Sequence, residues 1–485
     1  MANIIRKSIL TEKNISEIIR TSYFHHWIRV AAIKTQVVTN VVSRSAAWYR
    51  LAACLDEIHK GPWKFIQLRG GLLDHSCIDG DDIDLLCSEK SVNALLDHAY
   101  QWVQNGDCHL RVVSRRPDKV ELTLFSRDGQ HCLEFDLWVN LWQLDYGKQR
   151  LTFADCADCL SVSERSVDRL PIDLEACIYV QHLLTKRKNI NTEKSQHRLR
   201  RYVDRCRQAG FTSLANLLQD ICHQRVVTNE HHLQTWRCLK SRLNLPQIHL
   251  ARSRLNKIRT KFREARLAAP RQTRLISIMG CDGAGKTTLA HALKEYVPEV
   301  KDVFTGKHLY RKSLIHKAAV IFIRPFLLQS REKFDETLAP IVYLRACLGL
   351  RIRQWKQKYG LTLIDRSIID FIYLDRKTDF PTFSRCKILA DFFGKRIPTI
   401  HCVVSYDTVT KRKLEMSVAG HRKYNSDMFH HLSRRTPTDY LAFNNDSAVH
   451  ESVIALKRMI STVTGKPSSD RGQGISKAPH IGNRH

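Results

Sequence analysis

Leu275-Ile276-Ser277-Ile278-Met279-Gly280-Cys281-Asp282-Gly283-Ala284-Gly285-Lys286-Thr287-Thr288 is the stretch on which the fold turns. Five residues of buried-strand character run into G-x-x-x-x-G-K-[ST], the Walker A pattern, and Leu289 to Val297 then reads as a helix. The glycines at 280, 283 and 285 allow backbone conformations that turn successive N–H groups inward, and the following helix N-terminus adds positive dipole. The loop from Gly280 through Asp282, Gly283, Ala284, Gly285, Lys286, Thr287 and Thr288 therefore reads as a cradle for polyphosphate. Lys286 is placed to reach β and γ phosphates, and Thr287 to offer its hydroxyl to Mg²⁺.

Working outward, Leu361-Thr362-Leu363-Ile364 is a second strand pattern and ends in Asp365-Arg366. A carboxylate at the tip of a parallel strand beside a phosphate loop can hold the metal, and the adjacent Arg can bridge transferring phosphates. The expected cofactors are ATP and Mg²⁺. The expected catalytic residues are Lys286, Asp365 and Arg366, with Thr287 and Asp365 as metal ligands.

These features, with the strand from Pro398 to Ser405, Thr408-Val409-Thr410-Lys411-Arg412 after it, and Asn444-Asn445-Asp446-Ser447 before the last helix, resemble the thymidylate kinase family of P-loop nucleoside monophosphate kinases. The resemblance covers residues 272–464. It implies that Asp282 lies near the acceptor nucleotide's sugar, that Arg345 contacts the acceptor base, and that lid arginines, Arg412 and Arg422, cover the donor. Ile341 stands where the family has an aromatic residue, and Ser367 follows Asp365-Arg366 where the family has Tyr. The donor side of the pattern is thus kept and the acceptor side altered.

Nearer the N-terminus, Leu68-Arg69-Gly70-Gly71 precedes Asp82-Ile83-Asp84, and Asp136 stands in the later strand pattern Cys132 to Trp138. On a strand, Asp82 and Asp84 point the same way because side chains repeat every two residues. This arrangement resembles the nucleotidyltransferase superfold over residues 45–170, and implies Mg²⁺ ligation by Asp82, Asp84 and Asp136.

The composition bounds the rest. At 485 residues, two or three domains are expected. Hydrophobic residues at 43% and charged residues at 26% disfavour a wholly disordered or multi-spanning membrane protein. The 78 Lys and Arg exceed the 48 Asp and Glu by +30, so a polyanion is expected nearby. Residues 186–274 hold 22 basic residues against five acidic ones, net +17, so over half of the excess lies in under a fifth of the chain. Helical spacing at 197–207 and 250–266 makes this zone a basic helical region.

The 15 cysteines are scattered, and residues 1–20 carry charges throughout, so reduced thiols and a cytoplasmic location are expected. The apolar run 318–328 is short and broken by Arg324 and Pro325.

The expected fold class is α/β: an N-terminal α+β nucleotidyltransferase-like domain (1–170), a basic helical connector (171–267), a C-terminal P-loop kinase domain with a parallel sheet (272–464) and a disordered tail (465–485). The leading functional expectation is an ATP-dependent phosphotransferase acting on a nucleotide or related phosphorylated acceptor. The alternatives are a Mg²⁺-dependent nucleotidyltransferase acting through the N-terminal domain and a non-catalytic ATP sensor. Partner classes are the small phosphorylated acceptor, a nucleic acid or anionic membrane surface against the basic region, and a second copy of the chain.

Overall fold

The computed structural model describes residues 45–69, 73–80, 82–160, 167–243, 245, 275–305, 318, 321, 361–365, 397–413, 416–434 and 439–463. Gly70, Gly71, Arg345, Arg366, the basic stretch 250–266, most of the apolar run 318–328 and the tail 465–485 lie outside them. The chain divides into two compact units, residues 1–49 and 50–485. The elements below belong to the second, save the first turn of α1 (Ala46–Lys60).

The fold is mixed α/β with a large, mostly parallel sheet. Its strands are β1 (Phe65–Arg69), β2 (Ile83–Cys87), β3 (Cys108–Arg115), β4 (Lys119–Ser126), β5 (Cys132–Trp138), β6 (Leu141–Leu144), β7 (Gln149–Leu151), β8 (Val167–Arg169), β9 (Leu275–Met279), β10 (Val300–Thr305), β11 (Leu361–Asp365), β12 (Thr399–Val403) and β13 (Tyr440–Asn444). Eleven of them share one sheet in the order β10-β11-β9-β12-β13-β3-β4-β5-β2-β1-β8, while β6 and β7 form a separate ribbon. The described helices are α2 (Glu89–Asn105), α3 (Ile172–Lys186), α4 (Glu193–Gln208), α5 (Thr212–Gln224), α6 (Asn229–Arg242), α7 (Lys286–Tyr296), α8 (Tyr406–Arg412), α9 (Val418–Arg434) and α10 (Val449–Val463).

Strands β9 to β13 pair in parallel throughout. Strands β9, β11, β12 and β13 are buried along their whole length, as expected where helices cover both faces of a parallel sheet. The N-terminal strands behave differently. In β5, Glu134 and Asp136 alternate with buried Leu133, Phe135 and Leu137, the period of a strand with one wetter face.

The two halves of the sheet meet at β13 and β3, which run antiparallel with Tyr440 opposite Val112 and Ala442 opposite Leu110. Tyr440, Leu441, Ala442 and Phe443 are all buried. At about 1.5–3 kcal/mol per large apolar side chain, this seam is a strong adhesive. Tyr100 of α2 stacks on Phe429 of α9 at 4.1 Å and donates its hydroxyl to the Asn425 carbonyl. Arg111 bonds Asp439 through Nε at 3.1 Å, although burial pushes the Asp439 carboxyl above its usual range. The N-terminal and C-terminal strands thus share a continuous hydrogen-bonded ladder.

Two imidazoles lie inside this core. His109 Nδ1 accepts from the Asn444 N–H at 3.1 Å, and its Nε2–H donates to the Arg127 carbonyl at 3.0 Å, so the bonds require the neutral ring. His401 faces the Tyr440 hydroxyl and the Asn425 amide. Burial pushes both down to about 4, from the ordinary value of about 6.5. Below that ordinary value the unfolded chain binds the extra protons, so stability present at neutral pH is lost as pH falls from about 6.5 toward about 4. Urea titrations at stepped pH should show the midpoint dropping across that window, and dropping less in His109→Asn.

Candidate functional site

The best-built site lies at the carboxyl ends of β9 and β11. Met279 ends β9 and the chain enters the loop at Gly280, whose φ of 147° is open to glycine and strained for other residues. Space imposes the same choice, since a Cβ there would stand 2.7 Å from the Cys402 carbonyl of β12. Gly283 lies against Val409 of α8. Gly285, at φ 77°, caps α7, and Lys286 begins it.

The Lys286 side chain is 5% exposed. Its Nζ donates to the Gly280 and Cys281 carbonyls, each at 2.6 Å, and lies 3.8 Å from Asp282 Oδ1. The ammonium is therefore folded over its own loop. One residue on, the Thr287 hydroxyl donates to Asp365 Oδ2 at 2.6 Å. Asp365 is the last residue of β11 and sits in register with Ile278 of β9. The sheet order places β11 directly beside β9, and this adjacency brings together a hydroxyl and a carboxylate that are 78 positions apart.

Asp365 is 1% exposed, and its Oδ1 has no hydrogen-bond partner among the described residues. A buried carboxylate oxygen without a donor costs about 1–3 kcal/mol or more. A divalent cation fits it, with Thr287 Oγ as the second protein oxygen. Such a set, one carboxylate and one hydroxyl, suits Mg²⁺, which keeps several waters and is completed by phosphate oxygens.

Of the other expected site residues, Ala284 is buried within the loop and Thr288 is exposed on α7. Arg412 ends α8 and brings a guanidinium nitrogen to 3.1 Å from where a Gly285 Cβ would be, whereas Arg422 is exposed on α9. Arg345 and Arg366 lie outside the described residues. One neighbour carried no role in the sequence reading. Buried Asn445 donates Nδ2 to the Ala284 carbonyl at 2.8 Å. The signal for it was a polar tandem, Asn444-Asn445-Asp446, ending an apolar strand.

The N-terminal carboxylates are arranged otherwise. Asp84 and Asp136 are register partners on parallel β2 and β5, but each already holds a cation of the chain. Arg69, opposite Asp84 across β1 and β2, grips it through Nε at 2.5 Å and a terminal nitrogen at 2.9 Å, and Trp138 Nε1 donates at 3.0 Å. Lys119 Nζ lies 2.5 Å from Asp136 and 2.8 Å from Glu121. Asp82 is exposed. Burial pushes Asp136 up to about 6 against the pull of Lys119. Asp84 and Asp136 therefore stand side by side, each facing a cation of the chain. Among the described residues, no group of three His, Cys, Asp or Glu is disposed to hold a metal ion.

In the basic region, Leu199, Tyr202, Val203 and Cys206 form the buried stripe of α4, and Arg200, Arg201 and Arg207 are exposed. Thirteen cysteines of the described residues are unbridged, including Cys156 and Cys159. No described helix is long and apolar enough to cross a membrane.

No family model matches this chain, and no curated protein matches it. Solved structures similar to it include thymidylate kinase from Candida albicans, at 15% identity and a TM-score of 0.28, covering 39% of this chain and 92% of that one. Another is deoxyadenosine kinase from M. mycoides, at 14% identity and a TM-score of 0.26, covering 39% of this chain and 99% of that one.

The Arg69–Asp84 pair makes a direct prediction. Removing one partner of a buried, hydrogen-bonded ion pair strands the other charge, so Arg69→Met should lower the unfolding free energy by about 3–5 kcal/mol. Chemical denaturation measures this. The double change Arg69→Met with Asp84→Leu should recover most of the loss.

Proposed function

We propose that the phosphate-loop face binds a nucleoside triphosphate, ATP, with Mg²⁺, and transfers its terminal phosphoryl group to a nucleotide or similarly phosphorylated small acceptor. The observation that carries this reading is the meeting of Thr287 and Asp365 beside Lys286 at the carboxyl end of β9, the strand from which the sheet order runs to β11 and β10 on one side and to β12 and β13 on the other. Open α/β sheets bind ligands at the carboxyl ends of strands at such a switch point.

In this reading the inward N–H groups of Gly283 to Thr287 hold the phosphate oxygens, and the N-terminus of α7 favours their charge. Lys286 leaves the two carbonyls it now contacts and takes up a phosphate oxygen, exchanging neutral acceptors for a charged one. Thr287 and Asp365 hold the metal, which when bound supplies positive charge to the phosphate oxygens. Arg412 stands at the Gly285 end of the loop, placed to balance charge on the donor. Arg366 follows Asp365 in sequence and is assigned to the transferring group, with Asp282 and Arg345 assigned to the acceptor. Shielding the donor from water favours transfer over hydrolysis. The exposed arginines of α4 are read as a surface for a polyanion, outside this chemistry.

Replacing Lys286 tests the assignment. Lys286→Ala removes one charge-assisted hydrogen bond to phosphate, so binding of a fluorescent ATP analogue should weaken about 10- to 100-fold, with phosphoryl transfer lost. Unchanged affinity and turnover would refute the role given to the loop.

A further inference from the structure

We propose that Asn445 is a positioning residue for the phosphate loop, and that the N-terminal half of the sheet holds Asn445 in place through His109 and Arg127. The inference rests on the nucleotide-binding reading above for its functional consequence. Its structural content stands separately.

The Ala284 carbonyl and the Gly285 N–H belong to the same planar trans peptide and so point in opposite directions. Asn445 Nδ2 holds that carbonyl at 2.8 Å. The Gly285 N–H is thereby turned away from Asn445, toward the side where the loop presents its amides to an anion. Lys286 steadies the Gly280 and Cys281 carbonyls in the absence of ligand, but on the reading above it leaves them for phosphate. Asn445 has no such second task.

What fixes Asn445 comes from both halves of the molecule. Its own N–H bonds the Val403 carbonyl at 2.8 Å, and Asp446 accepts from the Ser405 N–H at 3.0 Å, tying the turn to β12 and the start of α8. From the other side, the preceding Asn444 gives its N–H to His109 at 3.1 Å and its side-chain amide to the Val103 carbonyl at 2.9 Å. His109 also stacks on Phe443 at 4.5 Å. Two residues after Asn445, the Ser447 hydroxyl receives Arg127 Nε at 3.1 Å and a terminal nitrogen at 2.9 Å. His109 and Arg127 lie on β3 and just after β4, so the N-terminal strands brace the turn that braces the loop.

The test uses the full chain and two readouts. Amide hydrogen exchange, followed without nucleotide, reports the loop directly over residues 280–289. In Asn445→Leu, which keeps the shape and removes the donor, exchange there should quicken about tenfold while residues 119–138 stay unchanged. His109→Leu should quicken the same loop segment, and His109→Asn, whose side-chain oxygen can accept from Asn444, should restore it. Should His109→Leu not fold, Arg127→Ala gives the same reading through Ser447.

The second readout is the affinity of the fluorescent ATP analogue, expected to fall about tenfold in Asn445→Leu. Loop exchange within twofold of wild type in Asn445→Leu overturns the positioning role. Quickening in Asn445→Leu without any in a folded His109 or Arg127 variant overturns the part given to the N-terminal half. A wild-type chain that fails to bind the analogue counts against the proposed function, and the exchange measurement still decides this inference.

Discussion

A peptide that turns its N–H toward an anion must turn its carbonyl the other way, and the phosphate loop is organised around that constraint. Its outward carbonyls need donors from elsewhere. Lys286 supplies two, to Gly280 and Cys281, and Asn445 supplies one, to Ala284. Glycine at 280 lets the backbone pass the Cys402 carbonyl, where a side chain would collide. The sheet order then sets β11 beside β9, so Asp365 meets Thr287 at the loop's edge.

The N-terminal half follows a different electrostatic plan. Asp84 accepts from Arg69 and Trp138, and Asp136 faces Lys119. Burying a carboxylate is costly unless it is paired and hydrogen-bonded. Here the pairing comes from within the chain, at the register positions of the sheet itself. That gives the half a polar core whose charges are matched within the chain.

Much of the C-terminal geometry was legible in the sequence because it is local. The run Leu275 to Thr288 specifies a strand, a turn and a helix start in consecutive residues, and the structure forms β9, the loop and α7 there. The strand reading of Leu361 to Ile364 extends by one residue, to Asp365. What the sequence could not express is pairing at a distance. Nothing in Tyr440-Leu441-Ala442-Phe443-Asn444 says that one edge of that strand takes β12 and the other takes β3. For the same reason the cations that face Asp84 and Asp136 are not visible in the spacing: Arg69 and Lys119 become their neighbours only across the sheet. The contact made by Asn445 is not visible in the sequence, because a buried amide is recognised by its partner, and its partner is 161 residues away.

On the proposed function, the loop between β9 and α7 handles the terminal phosphate of ATP. The most direct measurement incubates the full chain with Mg²⁺ and a panel of nucleotide and sugar-phosphate acceptors, once with γ-labelled ATP and once with α-labelled ATP. Label passing to an acceptor from the γ position alone is the predicted result. Label passing from the α position would place the chemistry at a nucleotidyl-transferring site and contradict the account.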